Sequence, residues 1–283
     1  MVKTINNYVR ILRPRQWLKN LLLLFPPFFG GKILVPATVS ALIPAFLSFS
    51  FAASCCYIIN DIMDREADRQ HPDKRDRAIA RGDVSIAAAA ILAALLYLAA
   101  MLISSSVSTR FEGFVIIYSL LTFGYTIYFK HIVIVDIFFV SFGFLIRVLA
   151  GGEAFKISVT KWLFLTVFIV ALFLAAGKRL SELLSLGADA IKHRISLNHY
   201  TSSFLEGILW STASCALVTY ALYIIENRDP MLYTVPVSAY GLFRYIFIVK
   251  EGTGDPTEVL LHDKHILMTG ITWIAMTGLI LYK

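Results

Sequence analysis

The sequence predicts an all-α membrane protein, a bundle of nine transmembrane helices around a central polar cavity that opens toward the cytoplasm. Three observations predict it. The 283 residues are 58% hydrophobic and only 16% charged, with a mean hydropathy of +0.71, far outside the globular norm. Apolar runs near the ~20 residues that cross a bilayer recur along the whole chain. The polar residues gather in three longer segments, 63–83, 178–203 and 250–263, all on one side of the alternating topology.

The nine spans run over about 17–35, 39–62, 84–105, 111–129, 132–152, 160–178, 204–225, 230–249 and 264–282. Several contain Pro or Gly, which bundles in lipid tolerate; the first has Pro26 and Pro27 at its middle. The loops on the outer side are short ("VPAT", "SVST", "EAFKISV", "ENRDP"). No separate soluble domain fits, so residues 1–283 read as one integral-membrane domain with three cytoplasmic cap segments. No small-residue cleavage site follows the first apolar run, so no cleavable signal peptide is expected.

Of the 26 Lys and Arg residues, nineteen fall on the amino-terminal side of this topology, six on the other, and Arg147 inside a span. The positive-inside rule then puts the N-terminus in the cytoplasm and the C-terminus outside. The net charge of +7 belongs to one face, where it also attracts anionic lipid. Its residues flank spans instead of forming a soluble domain, which argues against nucleic-acid binding. Cys55, Cys56 and Cys215 sit in apolar segments without metal or disulfide spacing and read as small buried hydrophobes. In "YVRILRPRQWLKN", Arg13, Arg15, Trp17 and Lys19 stand beside apolar residues. That pattern reads as a membrane-surface anchor, with Lys19 or Arg15 also contacting an anionic lipid headgroup.

The stretch "NDIMDREADRQHPDKRDRAIARG", Asn60 to Gly82, follows directly on the second apolar run. Asp61, Asp64 and Asp68 are spaced three and four apart, which stacks them on one helical face, with Asn60 at its edge. Like charges so placed repel, and acids at membrane depth are costly and usually functional. A hard divalent cation relieves the repulsion; Mg²⁺ is commonly held by one or two carboxylates plus substrate phosphates. Pro72 ends the helix near His71. Lys74, Arg75, Arg77 and Arg81 follow in a loop, where they suit a polyanionic substrate. The bland alternative is a solvated loop with internal ion pairs, but the acid ladder begins inside an apolar run.

The second polar segment, "AAGKRLSELLSLGADAIKHR", continues the sixth span. Lys178 and Glu182 have helical pairing distance; alternatively Lys178 and Arg179 clamp phosphate while Glu182 takes a sugar hydroxyl or a metal-bound water. Tyr200 is placed as a hydrogen-bond donor near the same face, and Lys130 in a short inner loop reaches toward the same anion. Asp136 and Arg147, three turns apart, face the bundle interior. "HDKH" at His262 to His265 reads as an interfacial loop, and "EGTGDPTE" as a turn-rich loop without a phosphate cradle.

These residues resemble the UbiA-type intramembrane prenyltransferases over essentially the whole chain, most specifically in "NDIMDREADRQHPDKRDRAIA". The resemblance implies nine helices, a cytoplasmic-side cavity, and Mg²⁺ and diphosphate carried by Asn60, Asp61, Asp64 and Asp68. Quinone- and haem-type members carry a second Asp-rich stretch after the sixth helix. Here that place reads "GKRLSELLSLGAD", with Glu182 as its nearest acid. With "RPRQWLKN" and "YTSSFL", this is similar to the decaprenyl-phosphate phosphoribosyltransferase branch. Ala78 stands where that family usually has proline.

The branch implies phosphoribosyl pyrophosphate and a polyprenyl phosphate as substrates, released pyrophosphate, cell-wall synthesis and a bacterial inner membrane. Lys19, Asn60, Arg75, Arg77, Lys130, Lys178, Arg179, Glu182 and Tyr200 are the expected substrate contacts, and Asp61, Asp64 and Asp68 the catalytic acids. Two rival readings remain open. An aromatic prenyltransferase would use a polyprenyl diphosphate and a quinone precursor; the missing second Asp pair counts against it. A transporter would also need many spans and buried charge, but no inverted repeat is evident. A homo-oligomer is compatible with the sequence, which fixes no oligomeric state.

Overall fold

A computed structural model describes residues 2–70, 74–186, 195–227 and 229–283. Its described elements are all helical. In chain order they are α1 (Val2–Leu12), a 3-10 segment (Pro14–Leu24), α2 (Phe25–Phe29), α3 (Pro36–Met63), α4 (Arg65–Gln70), α5 (Ala78–Arg81), α6 (Ile86–Val107) and α7 (Thr109–Ile127). A 3-10 turn (Phe129–His131) leads to α8 (Val135–Ala154), α9 (Lys161–Leu186), a second 3-10 turn (Ile195–His199) and α10 (Ser202–Asn227). A third (Asp229–Thr234) leads to α11 (Val235–Lys250), α12 (Pro256–His262) and α13 (Lys264–Leu281).

Short polar residues separate these helices because their side chains cap them. The Ser85 side chain accepts from the Ala88 N–H to open α6, Ser108 from Phe111 to open α7, and Asp263 from Ile266 to open α13. Each satisfies an amide the helix itself leaves free.

Among the described residues, seven helices are long and apolar enough to cross a membrane: α3, α6, α8, α9, α10, α13 and the stretch Pro230–Lys250 that contains α11. Helix α7 has 19 residues and occupies the place of the fourth predicted span. The first predicted span differs. It is not one α-helix but the 3-10 segment followed by the five-residue α2. Pro26 and Pro27 lack the N–H groups that would continue the α ladder, and the change of helix type falls immediately before them.

Helix α3 packs most extensively on α6, and α9 on α10 and α8. The α3–α6 contact is built on small residues, Ala45, Ala52 and Ala53 on α3 with Ala89, Ala93 and Ala100 on α6, all buried. Small side chains let two backbones approach where lipid supplies no hydrophobic drive. A core of Phe173, Leu180, Leu205 and Leu209 joins α9 and α10 to α8 and α11. Another, with Phe49, Phe111 and Tyr118, joins α3 and α7 to α8. The 3-10 segment lies against α3 and α8. Cys55 and Cys56 are buried as expected, but Cys215 is exposed on α10. The expected helix stop at His71 and Pro72 lies outside the described residues, as do residues 187–194 of the second cap segment.

Candidate functional site

The acid ladder spans the junction of two helices. Helix α3 ends at Met63, and Asp64 (φ −89°, ψ 5°) donates its N–H to the Asn60 carbonyl at 2.9 Å before α4 begins. The i→i−4 hydrogen bonds continue through this junction, with the Asp68 N–H on the Asp64 carbonyl at 2.8 Å, and the three acids stay near one another. Asp61 and Asp68 point together and are each 3% exposed. Arg77 Nη1 joins them, 3.0 Å from Asp61 Oδ1 and 2.6 Å from Asp68 Oδ2. Asp64, on the wall of the same outer cavity as Asp68, accepts from Lys130 Nζ at 2.6 Å.

Asp61 has a second cation, Arg13, whose guanidinium also lies 5.2 Å from the centre of the Tyr57 ring. The chain brings Arg13 there through a left-handed backbone turn (φ 52°) between α1 and the 3-10 segment. This corrects the anchor reading of the amino-terminal stretch: Arg13 serves a buried carboxylate, and Trp17 Nε1 donates to Ser54 Oγ at 3.0 Å. Arginine cations thus relieve the repulsion between Asp61 and Asp68.

These residues border two connected polar cavities. The deeper, of about 300 Å³, lies among α3, α7, α8 and α9 and is lined by Asn60, Asp64, Lys130, Lys178, Arg179 and Glu182. The outer, of about 650 Å³, shares Asp64, Arg77, Lys130, Lys178 and Glu182, adds Asp68, and is roofed by Gly252–Asp255. The structure therefore brings together eight expected residues: Asn60, Asp64, Asp68, Arg77, Lys130, Lys178, Arg179 and Glu182. Lys19 lines the deeper cavity as well.

Three expected residues stand elsewhere. Asp61 lines neither cavity and sits behind Arg77. Arg75 is exposed and also lines neither. Tyr200 is buried and its hydroxyl is fully engaged, donating to Asp136 Oδ1 at 2.7 Å and accepting the Ile134 N–H at 2.6 Å. Burial, then the neighbouring Asp136 charge, hold its phenol above the usual range. Tyr200 is corrected from a substrate contact to a brace of the α8 entrance, where Ile134 adopts a positive φ of 69°.

The second polar segment pairs differently from its spacing. Arg179, not Lys178, takes Glu182, at 2.6 Å, and also donates Nε to Asp136 Oδ2 at 2.8 Å. Lys178 Nζ reaches across to Asp255 Oδ2 at 2.5 Å. Asp255 was missed by sequence reasoning, although "GDPTE" carries a cap residue, Pro at the first helical position and an acid two residues later. Its carboxylate accepts the N–H groups of Thr257 and Glu258 and starts α12 over the site. Burial alone would raise the Asp255 carboxyl, but Lys178 and then Lys19 outweigh it and hold it well below the usual carboxylate range.

A third cavity, of about 480 Å³, adjoins the deeper polar one. Its walls are almost wholly aliphatic and aromatic, among them Phe25, Val167, Leu217, Leu242 and Trp273. Lys19, Phe144, Leu174 and Pro256 belong to both cavities.

As magnesium ligands the acids suit the ion in chemistry, since Asn60, Asp64, Asp68 and Glu182 offer only hard oxygen donors besides one amide nitrogen. Among the described residues, no three His, Cys, Asp or Glu side chains converge as a finished cage.

An all-helical membrane protein whose acid- and cation-lined cavity abuts a hydrocarbon-lined one belongs to the class of intramembrane enzymes acting on lipid-like substrates. Residues 23–269 match the UbiA prenyltransferase family, and the chain belongs to that family. It is 36% identical to a decaprenyl-phosphate phosphoribosyltransferase of Mycolicibacterium smegmatis, over 98% of this chain and 93% of that protein. It is 34% identical to the protein of that name from Corynebacterium glutamicum, over 94% and 84%. Among solved structures, a UbiA homologue from Archaeoglobus fulgidus bound to DMAPP and Mg²⁺ superposes with a TM-score of 0.77 at 17% identity, covering 97% of this chain and 99% of that one. This protein is thus an integral-membrane transferase of UbiA fold.

Proposed function

We propose that this enzyme transfers 5-phosphoribosyl from phosphoribosyl pyrophosphate to a polyprenyl phosphate of decaprenyl type, releasing pyrophosphate in a Mg²⁺-dependent reaction. The observation that carries this reading is the make-up of the polar cavity. Where a second acidic pair would serve another diphosphate–metal site, the deeper cavity carries, among the described residues of that segment, Lys178, Arg179 and Glu182. A donor with a diphosphate on C1 and a further phosphate on C5 needs cations at both ends. The two relatives named as decaprenyl-phosphate phosphoribosyltransferases support the same choice.

Asp64 and Asp68, with Asn60, would hold the magnesium ion, and Asp61 would hold Arg77 in place. Bound there, Mg²⁺ supplies charge neutralisation for the departing pyrophosphate. Lys130 and Arg77 stand beside the same acids and bind the remaining diphosphate oxygens, exchanging carboxylate for phosphate partners. Lys178 and Arg179 face the 5-phosphate, and Glu182 a ribose hydroxyl. As the C1–O bond to pyrophosphate breaks, positive charge develops at the anomeric carbon. A lipid phosphate oxygen then forms the new bond to C1 from the opposite face. The acceptor is already an anion near neutral pH, so no general base is required, which fits a cavity where the acids are committed to cations.

Counting the broken first segment, Pro14–Leu24 with Phe25–Phe29, as one crossing beside the eight long helices among the described residues supports a reading of nine. The 19-to-6 distribution of basic residues supports an N-terminus, cap segments and cavity mouth in the cytoplasm, and an outside C-terminus. The whole chain is then one domain that takes its soluble donor from the cytoplasm and its acceptor from the inner membrane, in cell-wall synthesis.

The test is a membrane assay with labelled phosphoribosyl pyrophosphate plus polyprenyl phosphate, set against prenyl diphosphate plus 4-hydroxybenzoate, each with and without Mg²⁺. Label entering lipid only in the first pair, and only with Mg²⁺, is expected. Product only in the second pair would reverse the reading, and uptake without product would indicate transport.

A further inference from the structure

We infer that Lys19 and Arg147 form the seat of the acceptor's phosphate, with the acceptor's hydrocarbon in the adjoining apolar cavity. The inference rests on the phosphoribosyltransferase reading and assigns the acceptor subsite within it. Most cations of the site are already committed to acids: Arg13 and Arg77 to Asp61, Lys130 to Asp64, Lys178 to Asp255, Arg179 to Asp136 and Glu182. Arg147 is not, and Lys19 touches no acid directly, standing only near the Lys178–Asp255 pair. Among the described residues Lys19 makes no hydrogen bond or ion pair, and no carboxylate pairs with Arg147.

Arg147 is 3% exposed. It donates to Asn20 Oδ1 at 2.8 Å, the Gly143 carbonyl at 2.6 Å and the Tyr118 hydroxyl at 2.9 Å, all neutral. A guanidinium has five N–H donors, so among the described residues two remain, and the side chain borders the deeper polar cavity. Asn20, which orients it, is the residue next to Lys19. The two cations thereby share one corner of the deeper cavity, with Lys178 and Asp255 as the nearby charges of Lys19. A buried cation without a counter-charge is costly unless a ligand supplies one.

The corner also identifies which anion. Among the described residues Lys19 is the one charged side chain on the wall of the apolar cavity, and it lies where that cavity meets the polar one. A phosphate bound there has hydrocarbon space directly behind it and the acid-lined cavity in front. That suits an amphiphile with an anionic head, and not the 5-phosphate of a wholly polar donor. The division also separates the two like-charged substrates, pyrophosphate on the Asp64 side and lipid phosphate on the Lys19 side.

The test measures binding in nanodiscs of farnesyl phosphate, farnesol, and phosphoribosyl pyrophosphate with Mg²⁺. Lys19→Met is expected to weaken farnesyl phosphate about tenfold or more, with farnesol and phosphoribosyl pyrophosphate within about twofold of wild type. Retained donor binding shows that the variant folds. Gly270→Phe projects a ring from a wall of the apolar cavity, where an added Cβ meets nothing within 4 Å. It is expected to weaken decaprenyl phosphate more than geranyl phosphate. The inference is overturned if Lys19→Met weakens the donor and spares farnesyl phosphate, weakens both alike, or changes neither. If wild type fails to bind phosphoribosyl pyrophosphate at all, the functional reading falls first, by a different measurement.

Discussion

Lys130 Nζ lies 2.6 Å from Asp64 Oδ1, tying the turn between α7 and α8 to the end of α3 across 66 residues of sequence. The pair sits on the walls of both polar cavities. In the proposed reaction Asp64 serves the metal and Lys130 the diphosphate, so the two variants should fail differently. Asp64→Asn is expected to lower kcat/KM for phosphoribosyl pyrophosphate by about 100-fold or more and to raise the Mg²⁺ concentration for half-maximal rate. Lys130→Met is expected to act about tenfold, mainly through KM for the donor, without raising the Mg²⁺ requirement. Equal Mg²⁺ dependence in both variants would remove Asp64 from the metal.

Arg179, Asp136 and Tyr200 form a buried unit that links α9, the start of α8 and the segment before α10. Asp136 is fully buried, and Arg179 Nη2 also reaches the Tyr125 hydroxyl at 3.2 Å. Tyr200→Phe removes a hydroxyl with two partners and is expected to destabilise by about 1–3 kcal/mol, read by thermal unfolding in detergent, with the donor KM nearly unchanged. Asp136→Asn strips a charge from a buried pair and is expected to cost about 3–5 kcal/mol. A large KM effect for Tyr200→Phe with normal thermal stability would restore the role its sequence position suggested.

What the sequence revealed follows from which interactions are local. Hydropathy is set residue by residue, so the long helices were legible, and "NDIMDREADRQ" announced its carboxylates because three acids at a membrane edge need a reason. Partnerships across the bundle were not legible. Helical spacing pairs Lys178 with Glu182, yet Lys178 binds Asp255, 77 residues away, and Arg179 takes Glu182. Arg13 looked like an interfacial anchor because nothing near it in sequence shows that the chain turns it onto Asp61. Tyr200 was misplaced for the same reason, since its partners lie 64 and 66 residues earlier. The 3-10 form of the first span was signalled only by Pro26 and Pro27.

Asp255 gives the cap over the site its pH dependence. Its folded-state carboxyl is held below its unfolded value, with Lys178 and Lys19 outweighing burial. A group depressed in this way contributes stability fully above its unfolded pKa of about 3.9, and loses it as pH falls through the folded value. Attachment of α12 by this residue is therefore expected to stay constant from about pH 5 upward and to weaken only in strong acid. Hydrogen exchange of the 256–262 amides checks this. Asp255→Ala is expected to raise exchange there at neutral pH and to cost about 1 kcal/mol as a lost cap alone. Protection that fell between pH 8 and 6 would assign the cap's hold to a different group.

Gly151 sets how closely α8 approaches the broken first segment. A Cβ there would lie 2.1 Å from the Leu23 carbonyl oxygen and 2.8 Å from its carbonyl carbon. Both contacts are backbone, on a segment whose next residues are fixed by two prolines, so neither partner can rotate aside. The same 3-10 segment carries Lys19 and Asn20 to the cavity, and Asn20 in turn orients Arg147. Gly151→Ala is therefore expected to destabilise by about 1–3 kcal/mol or more, seen as a lowered Tm in detergent. Whatever folded protein remains should lose acceptor binding before donor binding, because the displacement falls on Lys19 and Arg147 and leaves the end of α3 in place. A variant with wild-type Tm and affinities would show that the approach of α8 to Leu23 is not close.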